Sequence, residues 1–168
     1  MNSIARILAA GAVLVSALAA SPARAVTINT EALVTIVEGI EVFERNSMNF
    51  GTLALNDGNV TVASDGTVVS DANHLVFDDS NLRNATFEVD SVLNATLQIA
   101  ITGSSNNGLI LDQFVVDFGT GETSVPMTHT LTSKPATMLV GANLRIDTLD
   151  AAQGPDQVIP YSVSVTFE

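Results

Sequence analysis

The sequence holds no cysteine and no tryptophan. Without thiols there is no thiol nucleophile, no thiolate metal site and no disulfide, so the chain must hold itself together through its core. Basic residues are scarce, with six Lys and Arg against 18 Asp and Glu. An acidic surface of this kind repels nucleic acid and anionic lipid, and favours solubility, cation binding or a saline setting. Two histidines, His74 and His129, are too few for a three-His site and lack metalloprotease spacing. The chain also lacks a G-x-S-x-G elbow, a phosphate loop and a dinucleotide fingerprint. No enzyme activity is expected, although carboxylates that pair only in space leave no mark in a sequence. Aromatics are few, with seven Phe and one Tyr. Sugar-binding platforms lean on exposed aromatics, which weighs against that class.

What is present begins with an apolar leader. Arg6 forms a short basic region, Ile7 to Ala20 is apolar, and Ala23-Arg24-Ala25 is a small-x-small cleavage signal. This is the pattern of a secretory signal peptide over residues 1–25, too short in its apolar run to span a bilayer comfortably. Its appearance is bacterial. Cleavage after Ala25 would leave 143 of the 168 residues as one exported domain, secreted to the periplasm or cell surface. Four bases would then face 18 acids, hence a net charge of −14. No later run is long enough for a transmembrane segment, and no cofactor is implied.

Beyond Ala25 the apolar residues alternate, which is a strand period. Val26, Ile28, Ala32, Val34, Ile36, Ile40 and Val42 all fall on even positions. A single strand over these 17 residues would span roughly 56 Å, too long for a domain of this size. Three readings stay open: two strands, one strand that switches sheets with a break at Glu38-Gly39, or a first half lent to a neighbour. Further strands are expected at Phe50 to Leu55, Val60 to Ala63 and Thr67 to Val69. The turns Asn56-Asp57-Gly58 and Ser64-Asp65-Gly66 separate these runs and suggest a meander. Asp71 to Asn84 reads as a polar loop with a short apolar centre at Leu75 to Phe77, and Gly103 to Gly108 as a plain loop. Ala85 to Val89, Leu97 to Ile101, Met127 to Leu131, Met138 to Ile146 and Ile159 to Phe167 read as strands. Leu109 to Phe118 is apolar on both faces in places and reads as central. About nine or ten short strands predict an all-β, antiparallel sandwich.

Calcium is the one plausible ion. Asp78, Asp79, Asp147, Asp150 and Asp156 are the candidate oxygen ligands, with Asn81 nearby. They match neither the EF-hand loop nor a nonapeptide repeat, and unpatterned acids are usually a solvated loop. Sequons at Asn59, Asn84 and Asn94 are read as chance matches in a Thr- and Asn-rich β protein.

Several phrases together resemble exported bacterial β-sandwich domains of domain-of-unknown-function family 4402. "TIVEGIEVFERNSMNFGTL" is similar to the family's opening strand and its L-x-F-G-x-L/I motif, carried by Phe50 and Gly51. "ATFEVD" resembles its A-x-F-x-V strand, carried by Ala85, Phe87 and Val89. "MLVGANLRI" resembles its V-G-A-x-L strand, carried by Val140, Gly141, Ala142 and Leu144. The closing strand keeps Tyr161, Val163 and Val165. Departures are Asp90-Ser91 where glycine is usual, no glycine just before Tyr161, and Phe167 as the last aromatic. The resemblance implies an immunoglobulin-like, pilin-like sandwich outside the cytoplasm with no established catalytic residues.

The function expected is therefore that of a secreted structural or cell-surface protein. It would be a fimbrial subunit joined to itself or to other surface subunits by β-strand complementation. Val26, Ile28, Ala32 and Val34 would be the donated side chains. The alternative is an extracellular carbohydrate- or calcium-binding module.

Overall fold

The structure, a computed structural model, describes residues 39–54, 57–70, 76–78, 80–147 and 157–168, backbone only at 76–78. All of these lie within the compact unit Ile36–Glu168. The described residues form thirteen strands and no helix, so none offers a helix long and apolar enough to cross a membrane. Every described strand pair is antiparallel.

The larger sheet is built from β1 (Glu41–Asn46), β3 (Gly58–Val62), β4 (Val68–Ser70), β6 (Ala85–Asp90), β8 (Ser105–Asn106), β9 (Leu109–Asp117), β10 (Thr123–Ser124) and β12 (Ala136–Ile146). Its main order is β1-β6-β12-β3-β4, with β9 also on β12 and both β8 and β10 on β9. The smaller sheet has the order β11-β7-β13, made of β7 (Thr96–Thr102), β11 (Met127–Thr130) and β13 (Ser162–Phe167). A ribbon pairs β2 (Thr52–Leu53) with β5 (Val76–Asp78).

The reason for two layers is visible in the side chains. Ala85, Phe87 and Val89 alternate buried along β6, as do Leu97 and Ile99 on β7 and Met138, Val140, Ala142 and Leu144 on β12. One cluster holds them all, so the two sheets enclose a shared core as a β-sandwich. Each fully buried Val, Leu or Ile contributes roughly 1.5–3 kcal/mol relative to exposure. That apolar core does here what disulfides do in small exported domains.

Several expectations are corrected. The expected meander is only one hairpin: β3 pairs with β4 and β12, while β2 pairs with β5. The hairpin turn closes through Ala63 N–H to Thr67 O at 2.8 Å and Gly66 N–H to Ala63 O at 3.0 Å. Asp65 Oδ1 accepts from both the hydroxyl and the N–H of Thr67, which holds its carboxyl below the ordinary value. The expected loop Gly103 to Gly108 contains β8. Asn107 (φ 49°) and Gly108 (φ 76°) make the two-residue, left-handed turn that sends β8 back along β9. In the expected polar loop Asp71 to Asn84, the apolar centre expected at Leu75 to Phe77 overlaps a short strand, β5. Short strands of two or three residues such as these raise the total above nine or ten.

Strand β9 carries a bulge. Gly141 faces Val115 and Asn143 faces Asp112, so Ala142 stands opposite both Gln113 and Phe114. Gln113 takes a left-handed φ of 51°. Leu111 below the bulge and Phe114 and Val116 above it are all buried, at 4%, 5% and 0% exposure. The extra residue resets the alternation so that both halves of β9 face the core. The strand is central only in part, since β8 and β10 cover just its two ends.

Candidate functional site

The exposed feature with a shape is one rim of the sandwich, where β1 edges the larger sheet and β13 edges the smaller one. Strand β1 is an edge because it pairs only with β6 among the described residues. Its register sets Val42 beside Val89 and Glu44 beside Phe87, so Val42 and Glu44 lie on the core face. Yet Val89 is fully buried while Val42 is 37% exposed. All six residues of β1 are exposed. Among the described residues, no strand of the smaller sheet covers this part of the core face.

On the outer face Arg45 donates to Glu88 Oε2 from Nε at 3.0 Å and Nη2 at 2.8 Å, and its guanidinium lies 5.7 Å from the Phe43 ring centre. An exposed pair of this kind contributes little stability. Its effect is to place charge on the edge. With Glu41, inward-facing Glu44 and an irregular register between Glu44 and Asn46, β1 has the features that blunt an edge against further pairing.

Strand β13 has none of those features. Its sequence, Ser162-Val163-Ser164-Val165-Thr166-Phe167, carries no charge and no proline, and its register with β7 is unbroken over six residues. Glu168 N–H donates to Thr96 O at 3.1 Å. Because hydrogen-bonded pairs alternate, Ser162, Ser164 and Thr166 exchange bonds with β7. Val163, Val165 and Phe167 therefore present their N–H and C=O groups to the outer edge, which has no partner among the described residues. Their side chains lie on the core face, but they are only half-buried or, for Phe167, 44% exposed. The neighbouring β7 residues Leu97 and Ile99 are at 0%. The other edge strand of this sheet, β11, has four residues, and β4 has three. Among the described residues, β13 is thus a long edge without the charge or bulge that guards β1.

Tyr161 links the two lips of the rim. Its ring lies 5.7 Å from that of Phe114, and its hydroxyl is buried without a hydrogen bond of ordinary geometry. Burial, together with the nearby Glu44 carboxylate, pushes the phenol up to about 12. Glu44 acts on the phenol both as a neighbouring charge and as a side-chain acceptor close to it.

The opposite side of the smaller sheet is seated by His129 on β11, which stacks on Phe118 at 3.9 Å and 6°. Burial holds the His129 imidazole below its ordinary 6.5. The unfolded chain then takes up a proton that the folded one resists. Stability is full above the ordinary imidazole value and drains as pH falls below it. The melting temperature of the wild type should drop relative to His129→Phe between about pH 7 and pH 5. Parallel curves would show that this ring is not the cause.

The sequence candidates fall as follows. Val26, Ile28, Ala32, Val34, Glu38, His74, Asp79, Asp150 and Asp156 lie outside the described residues. Asp78 ends β5, and Asp147 follows β12 with its N–H on Gly108 O at 2.8 Å. No three His, Cys, Asp or Glu side chains among the described residues are grouped to hold a metal. The motif residues are structural. Phe87, Val140, Ala142 and Leu144 are core, Phe50 packs on it, and Gly51 (φ 70°) turns with its N–H on Asn49 Oδ1 at 2.7 Å. Gly141 admits the backbone of Val62 to Ser64 across its α-carbon. Ser91, where the family's glycine is usual, is fully buried.

Sequence reasoning missed the unguarded β13 edge, the Glu44–Tyr161 approach and a polar belt across β3, β12 and β9. There the buried Asn143 amide donates to Asp112 Oδ1 at 3.0 Å and Asn59 Oδ1 at 3.3 Å, and accepts from Thr61 Oγ1 at 3.0 Å. The alternation of charge-free β13 was the one signal that could have pointed to the edge.

Comparison with curated proteins and with solved structures gives no match. The family model described as "Domain of unknown function (DUF4402)" matches residues 40–166, which is most of the chain and contains every strand of the rim except the last residue of β13. The chain belongs to the DUF4402 family.

Proposed function

We propose that the protein is an exported structural subunit of a filament or surface layer. In this pilin-like reading of an immunoglobulin-like sandwich, subunits join by β-strand addition. Residues 26–34 of one copy lie along the outer edge of β13 in the next. The observation that carries the reading is the rim that no described residue covers: a charge-free six-residue edge on one lip, and an exposed core face on the other.

An added strand would do two things at once. Its main chain would bond the outward N–H and C=O groups of Val163, Val165 and Phe167. Its inward side chains would cover Val42 and the half-buried row of β13. Segment 26–34 suits this role, because Val26, Ile28, Ala32 and Val34 share one face and its sole charge, Glu31, lies on the other. Donor and acceptor are different surfaces, so the contact is head-to-tail and propagates.

The test is a chain that begins at Val26, compared with one lacking residues 26–34. The intact chain should form polymers seen by electron microscopy and sizing, and the shortened chain should remain monomeric with the same far-ultraviolet spectrum. Intact chains that stay monomeric at every concentration, or shortened chains that still polymerise, would sink the proposal.

A further inference from the structure

The outer edge of β9 is notched. On that side β8 pairs Ser105 and Asn106 with Ile110 and Leu109, and β10 pairs Thr123 and Ser124 with Val116 and Val115. Asp112 and Gln113, in between, pair with neither strand, and a cleft of about 940 Å³ opens beside them. That volume lies within the range of small-molecule sites.

The cleft is built from fixed parts. One wall depends on Gly103, where a Cβ would lie 1.8 Å from Leu111 O. Glycine thus lets the chain leaving β7 lie this close to β9. Ser104 Oγ then donates to Pro160 O at 2.5 Å and ties the same wall to the chain entering β13. The floor depends on Asn143, which is 5% exposed. Its amide donates to Asp112 Oδ1 and accepts from Thr61 Oγ1, and both of these residues line the cleft. A buried polar group therefore holds two of the lining side chains in place. The remaining part is Gln113. Glycine is the usual residue where a bulge needs left-handed backbone, yet Gln113 takes that backbone at φ 51° and lines the cleft with its side chain exposed. Residues other than glycine held in sparsely populated backbone gather at ligand sites.

The lining sets the chemistry of the ligand. Among the described residues that line the cleft, none is lysine, arginine or histidine. A phosphate or carboxylate would find no cation there and would meet the Asp112 charge. The cleft offers one carboxylate, one amide and a set of Ser and Thr hydroxyls, beside the apolar Ile110 and Val115. A neutral sugar carries the matching groups, namely hydroxyls that both donate and accept and a ring with an apolar C–H face. The aromatic ring of the lining, Phe114, is 5% exposed, so the sugar would be held by its hydroxyls and not by stacking.

We propose that this cleft binds a short segment of neutral glycan. Asp112 accepts from the sugar hydroxyls, and the Gln113 amide both donates to them and accepts from them. The lining includes no residue of β1 or β13, so the site stands whether or not subunits add strands.

The test is saturation-transfer NMR on the chain that begins at Val26, read on the protons of the added sugar, a readout that tolerates assembled protein. The probes are maltotriose, cellotriose and N-acetylchitotriose at millimolar concentration, with trigalacturonic acid as the charged counterpart. At least one neutral trisaccharide should receive saturation, and the acid should receive much less. Asp112→Asn keeps an oxygen for the Asn143 amide, so it should fold and bind about tenfold more weakly, the loss expected when a hydrogen bond to a charged group is weakened. Gln113→Gly suits the left-handed backbone, so it should fold and lose binding to a similar extent. Melting curves confirm that both variants are folded. No saturation of any neutral trisaccharide would overturn the proposal. Equal binding by both variants would remove the cleft as the site, and equal binding of the acid would remove the class of ligand.

Discussion

Gly141→Ala should destabilise the fold by roughly 3 kcal/mol or more, a large share of the ~5–15 kcal/mol that holds a domain together. A Cβ at this position would lie 2.5 Å from Val62 O, 2.7 Å from the Ala63 carbonyl carbon and 2.7 Å from Ser64 N. All three are backbone atoms, so no side chain can swing aside. Nor is that backbone loose. Val62 is in register with Ala142, Ser64 N–H donates to Glu122 Oε1 at 2.5 Å, and Ser64 O accepts from the Asn84 amide at 2.5 Å. Glu122 is itself delivered by a turn in which Asp117 Oδ1 accepts the N–H groups of Gly119, Thr120 and Gly121 at 2.7, 2.9 and 2.9 Å. Relieving the added methyl means moving β3 off β12. Urea unfolding should show the midpoint displaced downward. An unchanged midpoint would mean that the hairpin yields more readily than its bonds suggest.

Val165→Pro should abolish assembly while leaving a folded monomer. The N–H of Val165 points to the outer edge, so proline would remove a bond to the proposed incoming strand and none to β7. Ser164→Pro is the matched control. Its N–H belongs to the β7 ladder, so that variant should lose both assembly and stability. The pair separates an edge that recruits a strand from an edge that merely ends a sheet. Assembly that persists in Val165→Pro would move the docking surface elsewhere.

The sandwich was legible wherever one face of a strand is buried and the other is wet. At β6 the buried and half-buried residues alternate without a slip, and the residues alone located the strand. Reading failed where geometry breaks the period. Leu109 to Phe118 looked two-faced and hence central, but the cause is the extra residue at Gln113, which shifts the frame of one strand. Strand β8 was hidden because Ser105 and Asn106 are typical loop residues whose pairing depends on the Asn107-Gly108 turn behind them. The rim was illegible for a different reason. Glu44 and Tyr161 are far apart in sequence, and whether a strand has a second neighbour is a property of the assembled sheet. A sequence shows that Ser162 to Phe167 alternates; it does not show that nothing described lies beside it.

Under the proposed strand addition, the unequal lips of the rim would also set a valence. With β1 blunted by Glu41, Glu44, Arg45 and its irregular register, a subunit would have one strand to give and one edge to receive. It would behave as a bifunctional monomer. Such units grow into unbranched chains whose mean length rises with concentration, and they neither gel nor stack into sheets. Donor-less subunits added in small amounts then act as chain stoppers. On that proposal, the charges on β1 would decide the shape of the material as much as the apolar face of β13 would decide that it forms.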